Sequence, residues 1–209
     1  MNPVLAPLAY GGSLTLWAYL VQADAIIFEK HDHYQKQTQR NRQYIHGANG
    51  ILLLSIPIKH LGKEGHQSYK DIKIDNSFPW QSQHWKSLQN AYRSSPYFEY
   101  YECELAPIYK NKYTSLYTFN KTLFDVLKNL MGINTTVTFT EKYTPFTTTL
   151  DTRHLLQVKK KAPVITLEYA QVFRDKNGFI PNLSVLDLLF NLGPESLSKL
   201  KRCALPNFL

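Results

Sequence analysis

Acidic side chains are the first shortage in this chain: 16 Asp and Glu stand against 24 Lys and Arg, a net charge of +8 over 209 residues. That balance excludes an acidic solvating tail and favours an anionic partner, whether a phosphorylated small molecule, nucleic acid or an anionic membrane surface. Cysteine is almost missing. Cys103 and Cys203 lie far apart without metal-ligand spacing, so neither a disulfide framework nor a zinc site is indicated. Long apolar runs are missing too. Ile51 to Leu54, resuming at Ile56, falls far below the roughly 20 residues that span a bilayer, and no basic segment followed by an apolar core opens the chain. A soluble, cytoplasmic protein is expected. G-x-S-x-G, H-E-x-x-H and Walker patterns are absent, which leaves the common hydrolase, zincin and NTPase readings without support.

What remains is globular, at 44% apolar and 19% charged residues, and long enough for one large domain. Val4 to Leu8 reads as a buried strand. Tyr10-Gly11-Gly12-Ser13 makes a turn, and Ser13 suits the N-cap of a helix over Leu14 to Ala23. Ala25 to Phe28 is a second strand, apolar on all sides as parallel strands are. Strand, glycine turn, helix and strand form a βαβ unit, whose carboxyl edge is where open α/β sheets bind ligands.

Arg42 to His46 and Ile51 to Ile58 then read as a hairpin closed at Asn49-Gly50. Lys59 to Tyr69 is a polar loop, and Asp71 to Ile74 alternates like a short edge strand. Three helices come next, started by Pro79, by Ser95-Pro96 and by Ser115. The aromatics around Trp85 and in Pro96 to Tyr101 suit a core better than a cofactor box. Thr135 to Phe139 is β-like, Glu141 to Thr149 irregular, Asp151 to Leu155 a helical turn and Lys159 to Lys161 a solvated basic run. Val164 to Leu167 could add a strand. A helix over Val185 to Leu192, stopped by Gly193-Pro194, closes the chain. The expected fold is a single α/β domain: a Rossmann-like sheet core and hairpin in 1–75, and a mainly helical 76–209 packed over the sheet edge.

One stretch stands apart. Glu29 to Arg42 reads E-K-H-D-H-Y-Q-K-Q-T-Q-R-N-R, without an aliphatic side chain, between two strands. Lys36, Arg40 and Arg42, with Asn41 beside them, could grip a phosphate or carboxylate, Arg through its planar fork. The helix start at Gly11, Gly12 and Ser13 offers backbone N–H groups and the positive end of a dipole. A solvated loop beside a capped helix is the plain alternative. His31 and His33 point to one side of an extended chain, as a catalytic base, substrate contacts or metal ligands would, or as ordinary loop residues. Asp187, in an apolar helix, calls for a cationic partner among Arg40, Arg42 and Arg153, either as a structural ion pair or as a site carboxylate. Asp151-Thr152-Arg153-His154 could close over a ligand or merely cap a turn.

The same residues carry a family resemblance. H-Y-Q-K-Q-T-Q-R-N-R with I-H-G-A-N-G-I-L-L-L-S-I-P-I (His33 to Ile58), the Asp71 to Tyr101 motifs, and Y-A-Q-V-F with G-F-I-P-N-L-S-V-L-D-L-L-F-N-L-G-P-E (Tyr169 to Glu195) resemble the WbqC-like protein family. The resemblance implies a part in O-antigen or other surface-polysaccharide synthesis, modifying or transferring sugar-linked groups. The opening unit also resembles, more loosely, nucleotidyltransferase-type α/β folds, though their H-x-x-H pattern is missing. The function expected is a transferase acting on an anionic, phosphate- or nucleotide-linked small molecule. The alternatives are a non-catalytic partner in a glycan-assembly complex and a basic nucleic-acid-binding protein. Nucleic-acid binding is disfavoured, because the charge is not gathered into a repeated basic-aromatic module. The sequence names no cofactor, no metal and no oligomeric state.

Overall fold

The computed structural model describes residues 2–59, 67–143, 145, 149–157 and 164–206. Most of the Lys59–Tyr69 loop, part of the Thr-rich loop and the Lys159–Lys161 run lie outside the described residues. Four short strands form a parallel sheet: β1 (Val4–Ala6), β2 (Ala25–Phe28), β5 (Thr136–Phe139) and β6 (Leu150–Asp151), in the order β5-β2-β1-β6. Val4 pairs with Ile26 and with Leu150, and Ile26 with Val137. The chain runs outward from β1 to β2 to β5, then returns to the far side of β1. That reversal is a topological switch point, where a crevice opens outside the strand ends. No helix among the described residues is long and apolar enough to cross a membrane.

Helix α1 (Leu14–Gln22) links β1 to β2, capped by Ser13, and Leu14 through Val21 are all buried. The strands β3 (Arg42–Gly47) and β4 (Gly50–Ser55) make a separate antiparallel hairpin. The helical part continues as α2 (Trp80–Tyr92), α3 (Phe98–Lys110) and α4 (Leu116–Leu130). Phe124 of α4 packs against Trp17 of α1 and Phe28 of β2, at ring separations of 5.4 and 4.7 Å. Trp85, Tyr92 and Phe98 are core residues, whereas Tyr100 faces solvent. A short α5 (Arg174–Asn177), α6 (Val185–Leu192) and α7 (Glu195–Arg202) finish the fold.

Four local readings change. Tyr69–Asp71 is a 3-10 turn, and Lys73 and Ile74 make only isolated bridges, to Ser115 and Ile58, rather than an edge strand. Asp151 closes β6 before a 3-10 turn at Arg153–Leu156, so the helical turn begins at Arg153 rather than at Asp151. Residues 164–170 alternate exposed and buried as a strand would, yet they form no ladder with the described residues: Ile165 N donates to the Thr15 hydroxyl on α1 at 3.2 Å. Alternation reports a half-buried extended chain, not the partner it needs to be a strand. Pro194 does not end the structure. It occupies the N-cap of α7, whose Leu200 is buried and whose carbonyl accepts from Gln22 Nε2 of α1 at 2.9 Å.

Candidate anion-binding cleft

The polar stretch leaves the carboxyl end of β2 and immediately turns inward. Glu29 is fully buried; its Oε1 accepts from Thr140 Oγ1 at 2.8 Å and from His31 N at 2.7 Å. Asp32 forms an ion pair with Arg40, which is only 1% exposed. The Arg40 guanidinium also lies over the Tyr69 ring, 5.6 Å from its centre, and its backbone carbonyl accepts from Asn120 Nδ2 at 2.7 Å. Arg40 is therefore not the ligand-gripping group its sequence position suggests. Its charge is neutralised inside the protein, as a buried cation requires.

The middle of the stretch is laced into the switch-point crevice. Tyr10 N, after β1, donates to Gln39 O at 2.8 Å, and Gln39 N donates to Leu156 O, after β6, at 3.0 Å. This filling also closes the start of α1. Ser13 N donates to Gln39 Oε1 at 3.0 Å, Leu14 N to Leu183 O at 3.0 Å and Thr15 N to Asn182 Oδ1 at 2.9 Å, while Leu16 N meets the Ser13 hydroxyl. The N–H groups of Ser13, Leu14, Thr15 and Leu16, the donors that make a helix start attractive to a ligand, are thus used within the chain. The glycines serve geometry instead. Gly11 has φ +69°, and a Cβ there would stand 2.6 Å from Gln43 Oε1 and 2.7 Å from Ser184 Oγ.

The outer part of the stretch has a different fate. Lys36, Asn41 and Arg42 come together with Tyr34, Gln37, Ile58 and Lys59 around a cleft of about 320 Å³. One backbone link and one side-chain link set its wall: Ile56 N donates to Asn41 O at 2.8 Å, and Asn41 Nδ2 to Ile56 O at 2.9 Å. Arg42 opens β3, where strand alternation sends its neighbour Gln43 into the core and leaves Arg42 half-buried. Among the described residues, no carboxylate lies within ion-pair distance of Lys36 or Arg42. Gln37 sits in the left-handed region at φ +60°, a conformation that non-glycine residues hold only when their surroundings impose it. Burial pushes the Tyr34 hydroxyl up to about 12, against the pull of Arg40 and Arg42, so it stays a neutral donor beside the cations. A planar guanidinium, flexible ammoniums, an amide and a phenol suit an oxyanion carried on a polar body.

The remaining predicted residues lie elsewhere. His31 is half-buried, with an enclosed Nε2 that has no hydrogen-bond partner among the described residues. His33 is exposed, 6.3 Å from the Tyr143 ring, and its backbone bridges Ser68. Neither histidine lines the cleft. Arg153 grips Asp151, Nε lying 3.0 and 2.9 Å from the two oxygens and Nη2 2.6 Å from Oδ2, and it covers the Tyr143 ring. Asp187 is fully buried but pairs with no lysine or arginine among the described residues. Tyr92 OH donates to Oδ1 at 2.8 Å, and Tyr169 OH and Gln171 Nε2 donate to Oδ2 at 2.5 and 3.1 Å. Burial raises its pKa, and these three donors pull the other way. The expected arginine partner is replaced by neutral donors: Arg40 and Arg153 are committed to Asp32 and Asp151, and Arg42 lines the cleft instead. Tyr34, Gln37 and Lys59 were missed by sequence reasoning. The first two lay within the polar stretch; for Lys59 only the return of the chain beyond β4 could have served as a signal. No group of three His, Cys, Asp or Glu among the described residues could hold a metal.

The WbqC-like protein family model matches residues 14–167, most of the chain and all of this cleft. The chain belongs to the WbqC-like family. Its similarity extends to the uncharacterized protein Rv1507c of Mycobacterium tuberculosis, 26% identical over 207 residues, spanning 86% of this chain and 89% of that one. No solved structure matches it. The Tyr169–Glu195 motif, which holds Asp187, lies beyond the matched range of this WbqC-like chain.

Proposed function

We propose that this protein binds an anionic small molecule, phosphate- or nucleotide-linked, in the Arg42 cleft, and acts as a transferase in surface-polysaccharide synthesis. The observation behind this reading is the cleft itself: Arg42 and Lys36 face an open volume without a carboxylate partner among the described residues, while Arg40 and Arg153 are both neutralised. Cations held apart from acids raise the local concentration of anions and bind them by charge-assisted hydrogen bonds. The transferase class rests on the family's suggested role. The described cleft lining holds no histidine or carboxylate, so binding is assigned to it and proton transfer is not. Thermal stabilisation by nucleotide sugars that Arg42→Gln abolishes supports the reading. Equal stabilisation of the variant sinks it.

One observation favours the non-catalytic alternative. Ile51, Leu52 and Leu53 on β4 are 62%, 39% and 41% exposed, and no backbone hydrogen bond from outside the hairpin reaches them among the described residues. An apolar strand edge of this kind is a docking surface for another chain. If Leu53→Lys abolishes co-purification with a glycan-assembly enzyme and leaves nucleotide-sugar binding intact, this second reading gains.

A further inference from the structure

A second group of cations adjoins the Arg42 cleft. Ile58 pairs antiparallel with Ile74, Lys59 N donates to Lys73 O at 2.9 Å, and Asp75 N donates to Pro57 O at 2.9 Å. This register sets Lys59 and Lys73 directly opposite each other. Like charges in that position destabilise a strand pair, so their juxtaposition is a cost that a bound anion would relieve. Both lysines are exposed, and both line a neighbouring cleft of about 500 Å³ with Asp75, Asn76, Ser77 and Thr114. Lys73 is held from its other side as well, by its bridge to Ser115. Asp75 does not neutralise the pair by an ion pair. Its Oδ1 accepts from Ser77 N at 3.0 Å and from Ser77 Oγ at 2.7 Å, and these bonds, with the Lys59 charge adding to them, hold its pKa below the usual carboxylate value. Lys59 belongs to both clefts, which makes the row Arg42, Lys36, Lys59, Lys73 continuous.

We propose that Lys59 and Lys73 form a second anion subsite beside the Arg42 cleft, so that the molecule bound is a diphosphate ester such as a nucleoside diphosphate or its sugar conjugate. This rests on the reading of the Arg42 cleft as an anion site. Arg42 and Lys36 hold one phosphoryl group, Lys59 stands between the two, and Lys73 takes the other. The hydroxyl and amide groups of the second cleft then face whatever the far phosphate carries.

Calorimetric titration of the full chain at low salt, with inorganic phosphate and inorganic pyrophosphate as probes, tests this. Pyrophosphate should bind about tenfold tighter than phosphate, as one added charge-assisted contact allows. Lys73→Gln should erase that advantage and leave phosphate binding within about twofold, because only the outer phosphoryl group loses its partner. Lys86→Gln, which removes the same charge from an exposed position on α2, should leave both affinities nearly unchanged. Equal wild-type affinity for the two anions overturns the proposal. So does a Lys73→Gln variant that weakens both alike, or a Lys86→Gln variant that matches it. Phosphate binding that survives Arg42→Gln overturns the Arg42 reading itself, an outcome separate from these.

Discussion

Arg40 and Arg42 are separated by one residue yet meet opposite surroundings: one is sealed against Asp32 in the core, the other lines an open cleft whose described lining holds no acid. Their substitutions should therefore separate stability from binding. Arg40→Ala leaves a buried carboxylate without its cation and should cost about 3–5 kcal/mol in urea unfolding. Arg42→Gln should change stability by no more than about 0.5 kcal/mol while removing anion-dependent stabilisation. If Arg42→Gln proves as destabilising as Arg40→Ala, Arg42 is structural.

The glycine turn makes a second contrast. Gly11→Ala combines a positive φ with a Cβ placed 2.6 Å from Gln43 Oε1, whereas Gly132 has φ +67° and nothing within 4 Å. Gly132→Ala should cost about 1 kcal/mol from backbone strain alone. Gly11→Ala should cost about 1–3 kcal/mol more, since Gln43 and Ser184 must move within a packed core. Chemical denaturation of the two variants side by side reads the difference.

His84 gives the protein a pH dependence. Burial lowers its pKa to about 4, and its Nδ1 lies 2.9 Å from the Tyr10 hydroxyl. The fold favours the neutral ring, so the unfolded chain binds more protons between about pH 6.5 and pH 4. Stability from this group is complete above about pH 6.5 and falls as the pH drops, by up to about 3 kcal/mol at pH 4. Asp187 works oppositely: its raised pKa means its burial is easiest below its unfolded value and is penalised as pH rises through the folded one. Comparing the wild type with His84→Gln between about pH 7 and pH 4.5 isolates the ring. Parallel profiles would remove His84 as the cause.

Asp187 is held by hydroxyls rather than by charge. Tyr169→Phe removes the 2.5 Å bond without changing the ring and should cost about 1–3 kcal/mol, because a buried oxygen loses a donor. Anion binding should be unaffected, since neither Asp187 nor Tyr169 lines the cleft. A loss of anion affinity at unchanged stability would tie Asp187 to the site after all.

Periodicity and punctuation carried much of this architecture. The Ser13 and Ser115 caps, the Ala25–Phe28 strand, the Asn49-Gly50 hairpin and the apolar stripe of α4 are local decisions, made by residues within a turn or two of each other. Where a residue needed a distant partner, local pattern failed. Residues 164–170 alternate without a ladder among the described residues, and the two-residue β6 becomes a strand only because β1 lies alongside.

The Glu29–Arg42 stretch divides along the same line. Its composition by itself determined that polar, basic groups would stand between two strands, and that some of them would meet an anion or an acid. Only the tertiary structure decided which. Asp32 reaches Arg40, Gln39 closes the start of α1, and the chain returning beyond β4 brings Lys59 to Arg42. The reason is physical: an arginine's charge is written in the sequence, but whether it is neutralised depends on which carboxylate the fold places within a few ångströms.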